Sequence, residues 1–194
     1  MEKVAEVLRF WFGDPEDAAG EYGRQRQVWF KKDPAFDDII RQRFLGDVEQ
    51  AMGGALEAWR DQPRLCLALL LLLDQFPRNL FRGEARSFAG DRTALATAYH
   101  ALDQGYDQQV LPVERIFFYL PLEHSENLAD QDRSVELVQA LHAADPGFAS
   151  TLDYALRHRE VIQRFGRFPH RNEILGRETT PEEAEFLQQP GSRF

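Results

Sequence analysis

Three short stretches of the chain gather side chains able to move protons or hold anions. They are Asp74-Gln75-Phe76-Pro77-Arg78-Asn79, then Tyr119-Leu120-Pro121-Leu122-Glu123-His124-Ser125-Glu126, then the segment from Arg164 through Phe168-Pro169-His170-Arg171-Asn172 to Arg177. His124 is the natural proton carrier, because an unperturbed imidazole titrates nearest neutrality. Glu126 or Asp74 could orient it, as carboxylates orient catalytic imidazoles. Arg78, Arg167 and Arg171 offer planar forks suited to a phosphate or a carboxylate, with Asn79, His170 and Asn172 beside them as further ligand-binding groups. The same residues also read as a capping network, since arginines near helix C-termini complement the dipole and the free carbonyls. Two functions stay open: a binding protein holding a small anion or an acidic peptide end, and an enzyme using His124 as general acid or base on a phosphorylated or carboxylated metabolite.

Other chemistries find no motif. The five histidines (100, 124, 142, 158 and 170) show no metal-binding spacing, and Cys66 stands alone, so neither a metal nor a cofactor is expected. There is no G-x-S-x-G elbow and no glycine-rich phosphate loop.

Each of the three stretches closes a helix. Pro63 starts a leucine-rich helix that is expected to run to Phe76 and stop at Pro77. Pro112 starts a second, and Pro121 is expected to end or kink it, aiming Glu123, His124 and Ser125 sideways. The third runs from Phe148 to Phe165, with Gly166 as its left-handed stop. One helix separates each of these from the next, Asp91–Gln104 and then Asn127–Ala143. Short connections make consecutive helices antiparallel, so the three closing ends are expected at one end of the bundle.

The remaining segments read as helices over Val4–Phe12, Pro34–Met52 and from Thr180 to about Leu187. Asp33-Pro34 and the capping box Thr180-Pro181-Glu182-Glu183 are clear starts. Gln25–Lys31 reads as a turn that plugs the pair Trp29-Phe30 into the core. The echo between Phe76-Pro77-Arg78-Asn79 and Phe168-Pro169-His170-Arg171-Asn172 suggests a proline turn in which asparagine caps the next element. No segment alternates with period two, so the fold class is all-α, in one domain spanning 1–194.

The composition supports this. A hydrophobic share of 43% and a charged share of 28% are those of a soluble globular chain of 194 residues. The longest apolar run, Leu65 to Leu73, is too short to span a bilayer. The single cysteine points to a reduced, cytoplasmic compartment. A net charge of −9 argues against nucleic acid as a partner. The charge is uneven, however: Arg157 to Arg177 carries +4, leaving −13 on the rest. Such an island focuses small anions better than it holds a duplex.

The three stretches, with Val7-Leu8-Arg9-Phe10-Trp11-Phe12 and Trp29-Phe30-Lys31-Lys32-Asp33, resemble domain-of-unknown-function family 924 over essentially the whole chain. That resemblance implies an all-helical fold similar to tetratricopeptide-repeat superhelices or bundles, and it implies no reaction. Glu123 departs from the resemblance, standing where a larger apolar residue such as methionine or phenylalanine is expected.

Overall fold

The computed structural model describes residues 2–17 and 19–193. Among these residues all regular structure is helical and no strand occurs, as the periodicity requires. The α-helices are α1 (Glu2–Phe12), α2 (Pro34–Met52), α3 (Pro63–Leu70), α4 (Phe76–Leu80), α5 (Asp91–Asp103), α6 (Pro112–Glu123), α7 (Leu128–Ala144), α8 (Ala149–Phe165) and α9 (Pro181–Phe186). Among the described residues no helix is long and apolar enough to cross a membrane. The chain groups into two compact units, the first covering 1–82 and 86–121, the second 83–85 and 122–194.

The core of the first unit is aromatic. Trp11 and Phe12 on α1, Phe44 on α2, Phe76 and Phe117 are all sealed from solvent. Phe117 lies edge-on to three of its neighbours, with centroids 5.8 Å from Trp11, 5.2 Å from Phe12 and 5.0 Å from Trp29. Edge-to-face pairs of this kind contribute about 0.5–1.5 kcal/mol each beyond the area they bury. Asp33 caps α2 as its sequence demands, accepting from the Ala35 and Phe36 amides with Pro34 in the first turn. The expected aromatic plug is only half present. Trp29 is buried and donates from Nε1 to the Trp11 carbonyl at 2.8 Å, whereas Phe30 is 62% exposed. The turn Gln27–Trp29 is 3₁₀, so adjacent side chains point apart and one ring at most can enter the core.

Pro77 does not stop the leucine helix. α3 passes into a π turn, Leu71–Gln75, and continues as α4 to Leu80. The Phe76 amide reaches back five residues to the Leu71 carbonyl. That shift of the ladder falls just ahead of Pro77, which has no amide to donate, so the helix absorbs the proline instead of ending there. Gly90 packs against this turn, where an added Cβ would run into the Leu73 carbonyl oxygen.

In the second unit α7 and α8 form a helical hairpin. Asn127 caps α7 by accepting from the Ala129 amide, and Asp145 caps the short turn Pro146–Phe148 by accepting from Gly147. Gly166 closes α8 at φ 67°, the left-handed conformation that glycine adopts without strain. Val161, Ile162 and Phe168 then form a small core with Phe165 and Phe186 packed on it. α9 opens on the expected capping box, Thr180 and Glu183 each bonding the other's backbone amide.

Candidate functional site

The end of α6 sets the first part of the site. The helix carries on through Pro121 and stops two residues later, at Glu123. The stop is built by α7: the buried side-chain amide of Gln131 donates to the carbonyls of Glu123 and Ser125, both at 2.6 Å, and shares one of these hydrogens with the Leu122 carbonyl at 3.4 Å. One side chain thus satisfies carbonyls that the last turn would otherwise leave open. His124 and Glu126 lie in the turn between α6 and α7.

The second part is the segment after Gly166. Pro169 opens a 3₁₀ turn, Pro169–Arg171, and Phe168 is sealed beneath it. Two carboxylates fasten this segment. Glu126 accepts from the Phe168 amide at 2.8 Å and from both terminal nitrogens of Arg177 at 2.7 and 3.0 Å. Burial works against that carboxylate, but the Arg177 fork and the Phe168 amide outweigh it and hold its pKa below the usual value. Glu183 accepts from Arg167 at 2.6 and 2.9 Å and from Asn172 at 3.2 Å. The Arg167 hydrogen bonds, with help from Thr180, bring the Glu183 pKa down to about 2.

Arg171 is held differently. It is buried, donates to the His124 carbonyl at 3.0 Å, and lies over the Phe168 ring with its guanidinium carbon 4.5 Å from the centroid. A desolvated cation on an aromatic face gains about 2 kcal/mol. His170 flanks the same ring at 5.6 Å between centroids. His158 of α8 also packs on this ring, at 5.5 Å, and His158 in turn stands 6.3 Å from His124.

His158 has a prominence in the structure that nothing in its sequence context announces. His158 Nδ1 lies 2.8 Å from the Tyr154 carbonyl and 3.1 Å from Glu123 Oε1. A carbonyl only accepts, so Nδ1 carries the proton. Burial, foremost, and then His124, His170 and Arg171 together drive the His158 pKa down to about 3. The Tyr154 carbonyl opposes them and loses. A histidine at the middle of a long helix looks like any other surface residue in sequence; its one trace is the α8 register that places it three residues before the core residue Val161.

In the first unit the expected site residues Asp74, Arg78 and Asn79 are tied into ion pairs and hydrogen bonds. Asp74, buried in the π turn, lies 3.4 Å from Arg78 and accepts from the Gln75 amide. Arg78 forks onto Asp91 at 2.9 and 3.2 Å and also donates to the Ser87 carbonyl at 3.3 Å. Asn79 donates to Asp37 at 2.8 Å, and Arg82 binds the same carboxylate. Neither Asn79 nor Asn172 caps a following helix, contrary to the echo in their sequences: each turns its amide onto a carboxylate brought in by a distant part of the chain.

No group of three or more metal-ligating side chains occurs among the described residues. A cleft of about 340 Å³ opens elsewhere, lined by Gln25, Arg26, Gln27, Phe30 and Lys31.

Comparison with known proteins agrees with the helical reading. None of the curated proteins matches the chain. A solved structure titled as a protein of unknown function, ATU0120, from Agrobacterium tumefaciens is similar to it at 42% identity and a TM-score of 0.83, covering 96% of this chain and 97% of that one. The profile of the family described as bacterial protein of unknown function (DUF924) matches residues 7–191. The chain therefore belongs to the DUF924 family.

Proposed function

We propose that the second unit is a binding module for a small anion, a carboxylate or phosphate group, taken by Arg171, His124 and His170. The observation that carries this reading is the convergence of three cationic or protonatable groups on one buried point: Arg171 and His170 lie on the Phe168 ring, which packs on His158, and His124 stands beside His158 as well, so that like charges there meet repulsion. An anion placed among them relieves that repulsion, and a partly desolvated setting strengthens the attraction. Arg171 is preorganised by the Phe168 ring and the His124 carbonyl, so little rotamer entropy is lost on binding. Arg167, Arg177, Glu126, Glu183 and Asn172 act as the strap that holds the segment in place. A second reading, His124 as general acid or base, draws on its position beside a neutral His158 that touches a carboxylate. The lone buried Cys66, its pKa driven up to about 12 by burial, suits a reducing cytoplasm.

Calorimetry and thermal melts with inorganic phosphate, acetate and a panel of carboxylated and phosphorylated metabolites test the proposal. A ligand at a hundred times its Kd stabilises the protein by about 2.7 kcal/mol. Arg171→Lys keeps the charge but loses the planar fork, and is expected to weaken binding at least tenfold. Anions that stabilise wild type and Arg171→Lys equally would overturn the reading. Turnover of a bound metabolite that is lost in His124→Gln would favour the enzyme.

A further inference from the structure

Among the described residues Phe30 is the most exposed of the large hydrophobic side chains. Its neighbour Trp29 is pinned by the bond from Nε1 to the Trp11 carbonyl, and the turn is closed by the Phe30 and Lys31 amides on the Gln27 carbonyl, at 3.3 and 3.2 Å. The ring is therefore held in place in solvent, 62% exposed, at the side of the 340 Å³ cleft. Single exposed rings are common and need no explanation. What distinguishes this one is its charge setting. From Arg24 to Lys32 there are four basic residues and no acid, in a chain of net charge −9. Arg26 is committed to Glu21 and to the Phe10 and Trp11 carbonyls at the end of α1. Arg24, Lys31 and Lys32 are exposed.

We propose that this cleft docks an acidic peptide segment of a partner protein, with one apolar side chain of that segment lying against Phe30. The volume accommodates one or two side chains. The positive charge is spread along nine residues of chain, which suits acids repeated along an extended strand rather than one compact anion. Gln27, exposed at the cleft, offers an amide to the peptide backbone. A lipid surface is the poorer match, because the net charge of −9 is repelled by anionic headgroups and one ring gives little insertion. This surface belongs wholly to the first unit and does not depend on the anion site.

Fluorescence anisotropy on the full chain tests it, with a fluorescein-labelled oligoglutamate peptide carrying a central leucine as probe. Saturable binding that weakens with salt is expected. Phe30→Ala, and separately serine for the leucine in the probe, should each weaken it about tenfold, the effect of losing a central anchor. Lys31→Glu combined with Lys32→Glu should abolish it. Circular dichroism melts establish that these surface variants fold. Unchanged affinity in Phe30→Ala, or equal binding of an oligolysine peptide, would overturn the proposal. So would Phe30-dependent binding to phosphatidylserine vesicles without peptide binding, or a Phe30-dependent dimer in light scattering, which would assign the surface to lipid or to a second copy.

Discussion

Two helix ends with nearly the same sequence are built in opposite ways. Pro77-Arg78-Asn79 lies inside a helix that a π turn carries past the proline, and its arginine is forked onto Asp91 beside the buried Asp74. Pro169-His170-Arg171-Asn172 comes after a true helix stop at Gly166, and its arginine lies on an aromatic face while donating to a carbonyl. The first places a cation among carboxylates. The second brings its cation to a ring that also packs on His170 and on His158, with His124 beside His158. Composition alone does not distinguish these two arginines; the groups around each guanidinium do.

The largest expected effect tests the first of these ends. Gly90→Ala drives a methyl group into the Leu73 carbonyl, backbone that cannot rotate away. We expect a loss of about 3 kcal/mol in urea melts, since overpacking at this level displaces the backbone. Of similar size is Arg78→Ala, which takes the cation away from the buried Asp74 and from Asp91 and should cost about 3 kcal/mol. Arg78→Lys should recover part of that loss. If Arg78→Ala is neutral, the contrast between the two ends collapses.

Acid separates two groups of the second unit. Glu183 has a folded pKa of about 2, below the ordinary glutamate value of 4.5. Its contribution is thus whole above pH 4.5 and is lost as pH falls toward 2. His158 has a folded pKa of about 3 against 6.5 for an ordinary imidazole. The unfolded chain takes up that proton first, so stability falls as pH drops from 6.5 toward 3, by about 1.4 kcal/mol per pH unit for one proton. Glu183→Gln should flatten only the lower window and His158→Asn mainly the upper one, in denaturant melts run across pH. The smallest effect is on the strap: Glu126→Gln keeps the Phe168 amide bond but weakens the Arg177 pair, and should lower the melting temperature slightly.

Much of this is legible in the sequence. Helix class, the Asp33 and Thr180 caps and the Gly166 stop obey local rules, because each is decided within about one turn of chain. The π turn is not legible, since Leu71–Gln75 has the composition of any buried helix end and its widening depends on Pro77 and Gly90 together. Phe30 is misplaced by sequence reasoning because hydrophobicity says that a ring prefers the core, not that a 3₁₀ turn has room for only one. His158 and Glu123 escape notice as a pair because they sit on different helices far apart in the chain, and only packing brings them to 3.1 Å.

The central claim is that the positive field at the end of α6 and α8 is there to receive an anion. Nuclear magnetic resonance titration of the His158 ring, with and without inorganic phosphate, tests it most directly. The account predicts a pKa of about 3 without phosphate. Saturating phosphate should shift it upward, because an anion beside His124, His170 and Arg171 favours the imidazolium, and Arg171→Lys should blunt that shift. A His158 that titrates near 6.5, the ordinary value, or a low pKa that phosphate leaves where it was, would contradict the claim.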